Sequence, residues 1–441
     1  MRSHGPTRAN GTARALRITI TTGGSRGEVQ PYVALGLGLG AAGHEVRISA
    51  QAAYQQFVQE RGLGFHPISG DPHQLVSELL EAGNNPVRFA RRFRRVLGSL
   101  MEQNLEEYLA ACRDAEVIIY SPVGFLGYYV AEALRVPRVG AALYPLFSRT
   151  SYFPSSVVPL GKLLPRGTLG GLYNYLTYPF SEQLFWQSFR TPASRAIEEH
   201  LGFTPSFWGP FGEMIRHREP ILYGWSPSVL PQPSDWGPWL HTTGYWFLDR
   251  SGSWRAPRQL TDFLEAEPPP IFIGFGSMNN IAAERLTRIV LQALELTGQR
   301  GLLATGWGGM GDADLPDTVF RVDNVPHDWL FGRVKATIHH GGAGTTSASL
   351  RAGVPTLVVP FFADQPFWGW RVAELGVGPE PISPRSLGVE RLAGAIQELA
   401  SDRDMRARAS AMGRRIRSEN GIERAVEAFD LHTRKASSAR R

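Results

Sequence analysis

The segment "ATIHHGGAGTTSASL", residues 336–350, decides how the rest of the chain is interpreted. A short apolar run is followed by a glycine-rich turn and then by a helix whose first turn carries Thr345 and Thr346. This order predicts one strand–turn–helix unit of a parallel sheet. Free backbone N–H groups and the positive end of the helix dipole favour an anion at the turn, where His340 could donate to a phosphate. The alternative is a tight turn with a capped helix and a core histidine.

The same alternation of strands and helices occurs in both halves of the chain. The apolar runs extend from "LRITIT" to "RVGAAL" in the first half and from "PIFIGFGS" to "TLVVPFF" in the second. They predict an α/β protein with two parallel sheets, each binding ligands at the carboxyl ends of its strands. We expect two tandem domains facing a cleft, residues 15–248 and 249–432, joined in a segment rich in Gly, Ser and Pro.

Composition limits the classes of function. The chain has 441 residues, 43% of them hydrophobic, and a formal net charge of +6. Seven positive charges lie in residues 1–14 and 433–441, which contain no acidic residue and are expected to be disordered tails. Because the remaining chain is close to neutral, we expect no nucleic-acid partner. A single cysteine, no long apolar run and no signal peptide predict a cytoplasmic protein.

Polar residues also follow two other strands of the second half. Asp364 and Gln365 come directly after "TLVVPFF", where a carboxylate and an amide can bracket the hydroxyls of a sugar. The alternative for this pair is a helix N-cap. Ser277 follows the first strand of the domain in a glycine turn and is a candidate phosphate donor. These strand ends are expected to converge on one crevice.

Together these motifs resemble a known family. The segments "VPHDWLF", "HHGGAGTTSASLRAGVPTLVVPFFADQPFWGWRV" and "GVGPEPI" are similar to the C-terminal signature of sterol glucosyltransferases. That group belongs to the inverting, nucleotide-sugar-dependent glycosyltransferases with two Rossmann-like domains, the GT-B fold. The resemblance runs from about Arg17 to the last helix. It implies that the last helix packs back on the N-terminal, acceptor-binding domain.

The resemblance also implies a nucleotide-sugar site in the C-terminal domain. His340 and the backbone of the turn would hold the diphosphate, with Ser277 on its far side. Asp364 and Gln365 would hold the transferred sugar. The positions implied for the turn are Gly342, Ala343, Gly344 and Thr345, and those implied for the nucleobase are Asn324 and Val325, with Trp307 and His327 nearby. Many relatives have a tryptophan where Asn324 stands.

The N-terminal loop "TTGGSRGEVQPYVALG", residues 21–36, contains one carboxylate, Glu28. Relatives usually have an aspartate or a histidine in this loop, and this sequence has neither. Glu28 is therefore the candidate base that accepts the proton of the acceptor hydroxyl, and burial would raise its pKa into the range of a base. The alternative is an ion pair between Glu28 and Arg26, with Asp71 or His73 as the base.

Residues 144–247 contain 22 of the 47 aromatic residues of the chain. This segment lacks clear periodicity and is interpreted as an insertion that forms a pocket for a flat, apolar acceptor. Plain core packing is the alternative. The candidate acceptor-binding residues are Tyr144, Phe147, Tyr152, Phe153 and Trp186.

The segment "VRFARRFRRVLGSLMEQNLEEYL", residues 87–109, predicts an amphipathic helix. Its arginines, Arg88, Arg91, Arg92 and Arg95, share one face. Such a helix is usually solvated above a core, and docking on an anionic membrane is the alternative.

These observations predict an inverting transfer of a hexose, glucose by preference, from UDP-glucose to a hydroxyl of a sterol or sterol-like acceptor. The alternative is glycosylation of a polyketide or macrolide with a UDP- or TDP-sugar. A nucleotide-sugar epimerase and a non-catalytic sensor are further hypotheses. No Asp-x-Asp pair directly follows a predicted strand, so we expect no metal ion. We also expect no cofactor, because the nucleotide sugar is a substrate.

Overall fold

The computed structural model describes residues 14–71, 100–158, 167–249, 254–275, 283–304 and 315–438, with six positions between 88 and 98. Within these ranges the chain forms two α/β domains, each on a parallel sheet. The fold class predicted from the alternation of strands and helices is confirmed.

The first domain contains a seven-stranded sheet. Its strands are β1 Arg17–Thr21, β2 Glu45–Gln51, β3 Gly64–Ile68, β4 Val117–Tyr120, β5 Arg138–Ala142, β6 Ile221–Tyr223 and β7 Leu240–Thr242. All neighbours are parallel, in the order β3-β2-β1-β4-β5-β6-β7. Since β1 pairs with β2 on one side and β4 on the other, the strand order reverses beside β1, and a ligand crevice forms at such a point.

Helices cover both faces of this sheet. They are α1 Arg26–Ala41, α2 Gln55–Gln59, α3 Met101–Cys112, α4 Leu126–Leu134, α5 Gly167–Leu201 and α6 Phe211–Arg216, with a 3₁₀ turn at Ala52–Tyr54. None of the helices in the described ranges combines the length and the hydropathy that a bilayer span requires.

The second domain contains a five-stranded sheet. Its strands are β8 Ile271–Gly274, β9 Gly301–Ala304, β10 Val319–Val322, β11 Ala336–His339 and β12 Thr356–Val358. They lie parallel in the order β10-β9-β8-β11-β12, so the reversal falls between β8 and β11. The helices are α7 Arg258–Glu265, α8 Ala283–Thr297, α9 His327–Leu330, α10 Ala343–Ala352, α11 Gln365–Glu374, α12 Val389–Ser401, α13 Arg403–Arg417 and α14 Gly421–Ser438, with 3₁₀ turns at Phe331–Arg333 and Pro384–Ser386.

The central strands of both sheets consist of buried apolar residues. Every residue of β4, β8 and β11 is buried. A parallel sheet covered by helices on both faces requires this pattern, because neither face of its strands meets water. Because burial fixes the position at which each strand ends, it also fixes the position at which the following loop begins.

The aromatic segment, residues 144–247, differs from its interpretation as an irregular insertion. It contains α5, a helix of 35 residues, and it supplies β6 and β7 to the first sheet. Most of its large side chains fill the core between these elements and α4. The segment is therefore an integral part of the N-terminal domain.

The two domains contact each other along the crevice and at the end of the chain. Arg351 pairs with Asp249 near the domain boundary, and the Glu419 carboxylate accepts from the Ser226 hydroxyl at 2.7 Å. The last helix, α14, packs on α1 of the first domain through Phe429, which is fully buried beside His44. It continues to Ser438, six residues into the segment expected to be a tail.

Candidate active site

The turn after β11 is shaped by two glycines. Gly341 has φ +91°, and a Cβ there would lie 2.4 Å from Val358 Cγ1. A Cβ on Gly342 would lie 2.7 Å from Nε2 of His340, so the imidazole can lie against the turn only because this position has no side chain. Gly342 is the N-cap of α10, and no side chain in the described part of the chain caps it. The first turn of α10 therefore keeps backbone N–H groups for an anion.

His339 holds this turn in place, a role that the sequence did not reveal. Its Nδ1 accepts a hydrogen bond from the Gly341 amide at 3.0 Å. Complete burial lowers the pKa of His339 far below its ordinary value, and the neighbouring His340 and His327 add to the effect. His339 is thus a neutral acceptor that orients the turn.

His340 lies directly at the turn, as the sequence predicts. Burial lowers its pKa to about 4, although the carbonyl of Gly274 favours the protonated form. Its Nδ1 is shielded from water and has no hydrogen-bond partner among the described residues. A neutral imidazole carries one N–H, so His340 can donate one uncharged hydrogen bond, either to the Gly274 carbonyl or to a phosphate oxygen at the turn.

Asp364 and Gln365 lie at the carboxyl end of β12, as the sequence predicts. Asp364 is buried and accepts from Trp368 Nε1 at 2.9 Å. Burial raises the pKa of Asp364 to about 6 against the opposing effect of its hydrogen bonds, one of them from the Ala343 amide at the start of α10. Gln365 Oε1 accepts from the Phe361 amide at 2.8 Å, which orients its side chain. Both residues are thus fixed beside the anion turn.

Glu28 lies in the first turn of α1, across the crevice from Asp364. The residue is half-buried, yet its Oε2 is shielded from solvent and has no hydrogen-bond partner among the described residues. Burial raises the pKa of Glu28 to about 8, and the charge of Asp364 contributes to that rise. A carboxyl of this kind exchanges its proton near neutral pH, as a general base must.

The alternatives to Glu28 as base find little support in the geometry. Arg26 donates to Asn324 Oδ1 at 3.3 Å and lies over the ring of Phe57, so it reaches across the crevice. Asp71 is exposed. His73 lies outside the described residues.

The loop before α1 is held from both sides. Gln51 accepts from the Gly24 amide at 3.1 Å, and the Tyr54 hydroxyl donates to the Gly24 carbonyl at 2.9 Å. Gly24 has φ +91° and lies against the side chain of Glu28. One turn along α1, the hydroxyl of Tyr32 donates to the Ala141 carbonyl at 2.9 Å. These bonds fix the position of the carboxylate relative to the sheet.

The residues predicted to contact the nucleobase differ in burial and in their contacts. Asn324 is exposed, has φ +49° and bonds to Arg26, whereas Val325 is half-buried against the core. The His327 ring stacks on Phe331 at 4.4 Å between ring centroids, so it packs inward. Ser277 and Trp307 lie outside the described residues.

The five candidate acceptor residues differ in their exposure to solvent. Tyr144 is half-buried, and the charges of Glu28 and Asp364 add to the effect of burial in raising its pKa, so it lies beside both carboxylates. Trp186 is fully buried and donates to the Phe207 carbonyl at 2.9 Å.

The other three candidates also differ in how exposed their side chains are. Phe147 and Phe153 are buried among other rings, and Tyr152 is exposed with its hydroxyl 2.5 Å from Ser234 Oγ. Phe147, Phe153 and Trp186 therefore pack in the core and offer no accessible wall, which corrects their assignment. Tyr144, which is influenced by the charges of both Glu28 and Asp364, remains the acceptor candidate.

Two family models match the chain. Residues 18–152 match the N-terminal domain of glycosyltransferase family 28, and residues 308–423 match the C-terminal domain described as erythromycin biosynthesis protein CIII-like. These regions carry Glu28 and the turn with His340. The two α/β domains together have the GT-B fold.

Two sequence relatives of this chain are named sterol 3-beta-glucosyltransferase. Sterol 3-beta-glucosyltransferases of Cryptococcus neoformans and Aspergillus oryzae are each 38% identical to it, over 94% and 95% of its length. It spans 27% and 30% of the length of these two relatives. The resemblance to sterol glucosyltransferases stated from the motifs is confirmed.

Three solved structures share the fold of this chain. The calicheamicin glycosyltransferase has a TM-score of 0.69 at 20% identity and covers 95% of this chain and 98% of its own. SnogD from Streptomyces nogalater has a TM-score of 0.64 at 23% identity, covering 95% and 99%. A further relative, SsfS6 of Streptomyces sp. SF2575 complexed with thymidine diphosphate, has a TM-score of 0.61 at 18% identity and covers 94% and 99%.

Proposed function

We propose that this glycosyltransferase transfers glucose from UDP-glucose to a hydroxyl of a sterol or sterol-like acceptor, with inversion at the anomeric carbon. The observation that carries the proposal is the shielded carboxylate of Glu28, with its pKa of about 8, opposite Asp364 and the open first turn of α10. The names of the sequence relatives support the sterol and the glucose.

In the proposed reaction, Glu28 accepts the proton of the acceptor hydroxyl. The hydroxyl oxygen forms a bond to the anomeric carbon, and the bond between that carbon and the diphosphate oxygen breaks on the opposite face. The electron pair leaves with the diphosphate, and the proton remains on Glu28. A base whose pKa lies near neutral pH is suited to this transfer.

The departing diphosphate gains negative charge, and this chain offers groups that stabilise it. Backbone N–H groups at the start of α10 point along the helix dipole toward the turn. The neutral His340 imidazole adds one donor there. We infer that these groups serve without a metal ion or a cofactor.

The sugar is proposed to lie between the anion turn and Glu28. Asp364 would accept from its hydroxyls, and the amide of Gln365, oriented by the Phe361 bond, would contact a neighbouring hydroxyl. Tyr144, beside both carboxylates, is the proposed contact to the acceptor near its reacting hydroxyl.

A second candidate acceptor is a polyketide or macrolide. The match of residues 308–423 to the erythromycin-biosynthesis type of C-terminal domain favours it. A UDP- or TDP-sugar would then be the donor.

A panel of donors and acceptors tests the sterol and the polyketide proposals together. Purified protein is incubated with UDP-glucose or a TDP-sugar and with sterols or polyketide aglycones, with and without EDTA, and products are identified by mass spectrometry and by the NMR coupling of the anomeric proton. Beta-linked sterol glucoside formed equally with EDTA supports the proposal. Product from polyketides alone would replace it with the second candidate, and loss of all product in EDTA would remove the metal-independent mechanism.

A further inference from the structure

The first half of α5 exposes apolar side chains on the face that points away from the core. Leu169, Leu172, Leu176 and Phe180 follow a spacing of three and four residues and share one face of the helix. They are 72%, 55%, 54% and 58% exposed, respectively. The buried side chains of the helix, such as Tyr178, lie on the opposite side. This arrangement reverses the usual order, since a surface helix normally turns its polar face to water.

The exposed surface continues past this half of the helix. Gln183 and Gln187 follow on the same face, and their Nε2 atoms donate to the carbonyls of Trp208 and Phe207, both at 2.9 Å. Phe207 is 53% exposed and Trp208 is 64% exposed. We call this surface the apolar face; its members are Leu169, Leu172, Leu176, Phe180, Phe207 and Trp208. A contiguous exposed patch of this kind marks a site of interaction.

Residues 167–181 of α5 carry no charge, and the sequence before them is basic. Residues 133–181 contain five Arg or Lys and no Asp or Glu. The first acidic residue after them, Glu182, is fully buried and held by Arg149 through bonds of 2.6 and 3.0 Å. An anionic surface would meet no acidic side chain on residues 167–181 of α5 itself.

Arg190 lies 4.5 Å from the centroid of the Phe207 ring at the edge of the apolar face. The exposed Asp235 lies at the loop beside α5, where its carboxylate accepts from the Thr150 hydroxyl at 2.7 Å and the Ser151 amide at 2.8 Å.

We propose that the apolar face docks on a lipid bilayer that contains anionic lipids. Leucine and phenylalanine side chains would enter the boundary of the acyl chains, and Trp208 would lie at the level of the head groups, where tryptophan is favoured. Arg190, at the edge of the apolar face, complements anionic head groups. The choice of a bilayer over a protein partner rests on the proposed function, because a sterol acceptor resides in membranes.

A groove beside the apolar face fits this arrangement. It has a volume of about 640 Å³ and opens to solvent between the start of α5 and the Ser151–Tyr152 loop. Leu172 belongs both to the groove and to the apolar face. A lipid lifted from the bilayer would thus meet the enzyme where the apolar face ends.

Vesicle flotation with the full chain tests the proposal. The wild type should float with vesicles of phosphatidylcholine and phosphatidylglycerol, and less with phosphatidylcholine alone. The double variant Leu172→Glu/Leu176→Glu should lose roughly tenfold or more of the bound fraction at an unchanged melting temperature. Leu296→Glu, at a leucine that is 67% exposed on α8, is the matched control and should float like the wild type. Equal flotation of the double variant, or a wild type that never floats, would overturn the proposal.

A spin label gives a second measurement that does not depend on removing the leucines. The single native cysteine, Cys112, is buried, so a nitroxide attached to Leu176→Cys labels that position. Its accessibility to oxygen should rise when anionic vesicles are added, whereas a label at Leu296→Cys should show no change. If instead the label is immobilised by self-association of the protein without vesicles, the apolar face is a protein interface and the proposal fails.

Activity on a detergent-dispersed sterol separates this proposal from the proposed function. Transfer in detergent without flotation removes the docking surface and leaves the reaction in place. Flotation without transfer to any sterol removes the reaction and leaves the docking surface in place.

Discussion

Asp364 of the second domain raises the pKa of Glu28 in the first domain, so the two carboxyl groups are electrostatically coupled across the crevice. Burial is the larger cause and brings the pKa of Glu28 to about 8, while the pKa of Asp364 is about 6. Two carboxyl groups with separated pKa values near neutral pH are suited to two different tasks. The proposed tasks are proton acceptance at Glu28 and sugar binding at Asp364.

Replacing Glu28 by glutamine should abolish most of the turnover. The amide keeps the shape of the side chain and cannot accept the proton, so we expect kcat to fall by roughly 10² to 10⁴. The Kd for UDP, measured by calorimetry, should change little, because the donor groups lie in the other domain. Glu28→Asp is the matched control and should retain part of the activity. A Glu28→Gln enzyme with wild-type kcat would exclude this residue as the base.

The Asp364→Asn variant should shift the pH profile. Without the neighbouring negative charge, the pKa of Glu28 falls from about 8, so Glu28 loses its proton at lower pH. The acidic limb of log kcat/KM for the acceptor, measured at saturating UDP-glucose, should therefore move to lower pH, and the KM for the donor should rise. Asp317→Asn, at an exposed carboxylate, should leave both unchanged. An unmoved acidic limb would show that the two groups are not coupled in solution.

The sequence predicts the strands that lie in apolar runs and misses β6 and β7. Runs such as Ile18–Ile20 and Ile271–Ile273 are buried and rich in isoleucine, and both lie inside their sheets. By contrast, β6 and β7 have three residues each, too few for a periodic pattern. The helix α5 contains Pro179 and Pro192, which predict helix ends and conceal its full length.

Some residues of the candidate site could be predicted from the sequence, and others could not. Glu28 and His340 lie in loops with distinctive composition, and the structure places them at the crevice. His339 was missed because its bond to the Gly341 amide depends on the backbone path of a turn, which no residue pattern encodes. Trp186 was wrongly assigned to the acceptor wall, since aromatic residues look alike in sequence whether they are buried or exposed.

The stability difference between Glu28→Gln and the wild type should depend on pH. The carboxyl of Glu28 has an ordinary pKa of 4.5 when unfolded and a pKa of about 8 when folded. Because the folded state holds the proton more tightly, its contribution to stability is fully present below pH 4.5 and is lost as the pH rises through 8. The melting temperature of the variant relative to the wild type should thus increase over this range. Glu398→Gln, at an exposed position, should show a flat difference, and a flat difference for Glu28→Gln would mean that Glu28 is not buried in solution.

Gly342→Ala should weaken nucleotide binding without unfolding the protein. The backbone at Gly342 has φ −59° and ψ 143°, which alanine adopts readily, so the effect must come from the new methyl group. That group would lie 2.7 Å from Nε2 of His340 and would push the imidazole away from the turn. We expect the Kd for UDP to rise roughly tenfold, which corresponds to the loss of about one hydrogen bond. Gly394→Ala in α12, where a Cβ meets nothing within 4 Å, is the control and should keep the UDP affinity while gaining about 0.5 to 1 kcal/mol of stability. Unchanged UDP affinity in Gly342→Ala would place His340 outside the diphosphate site.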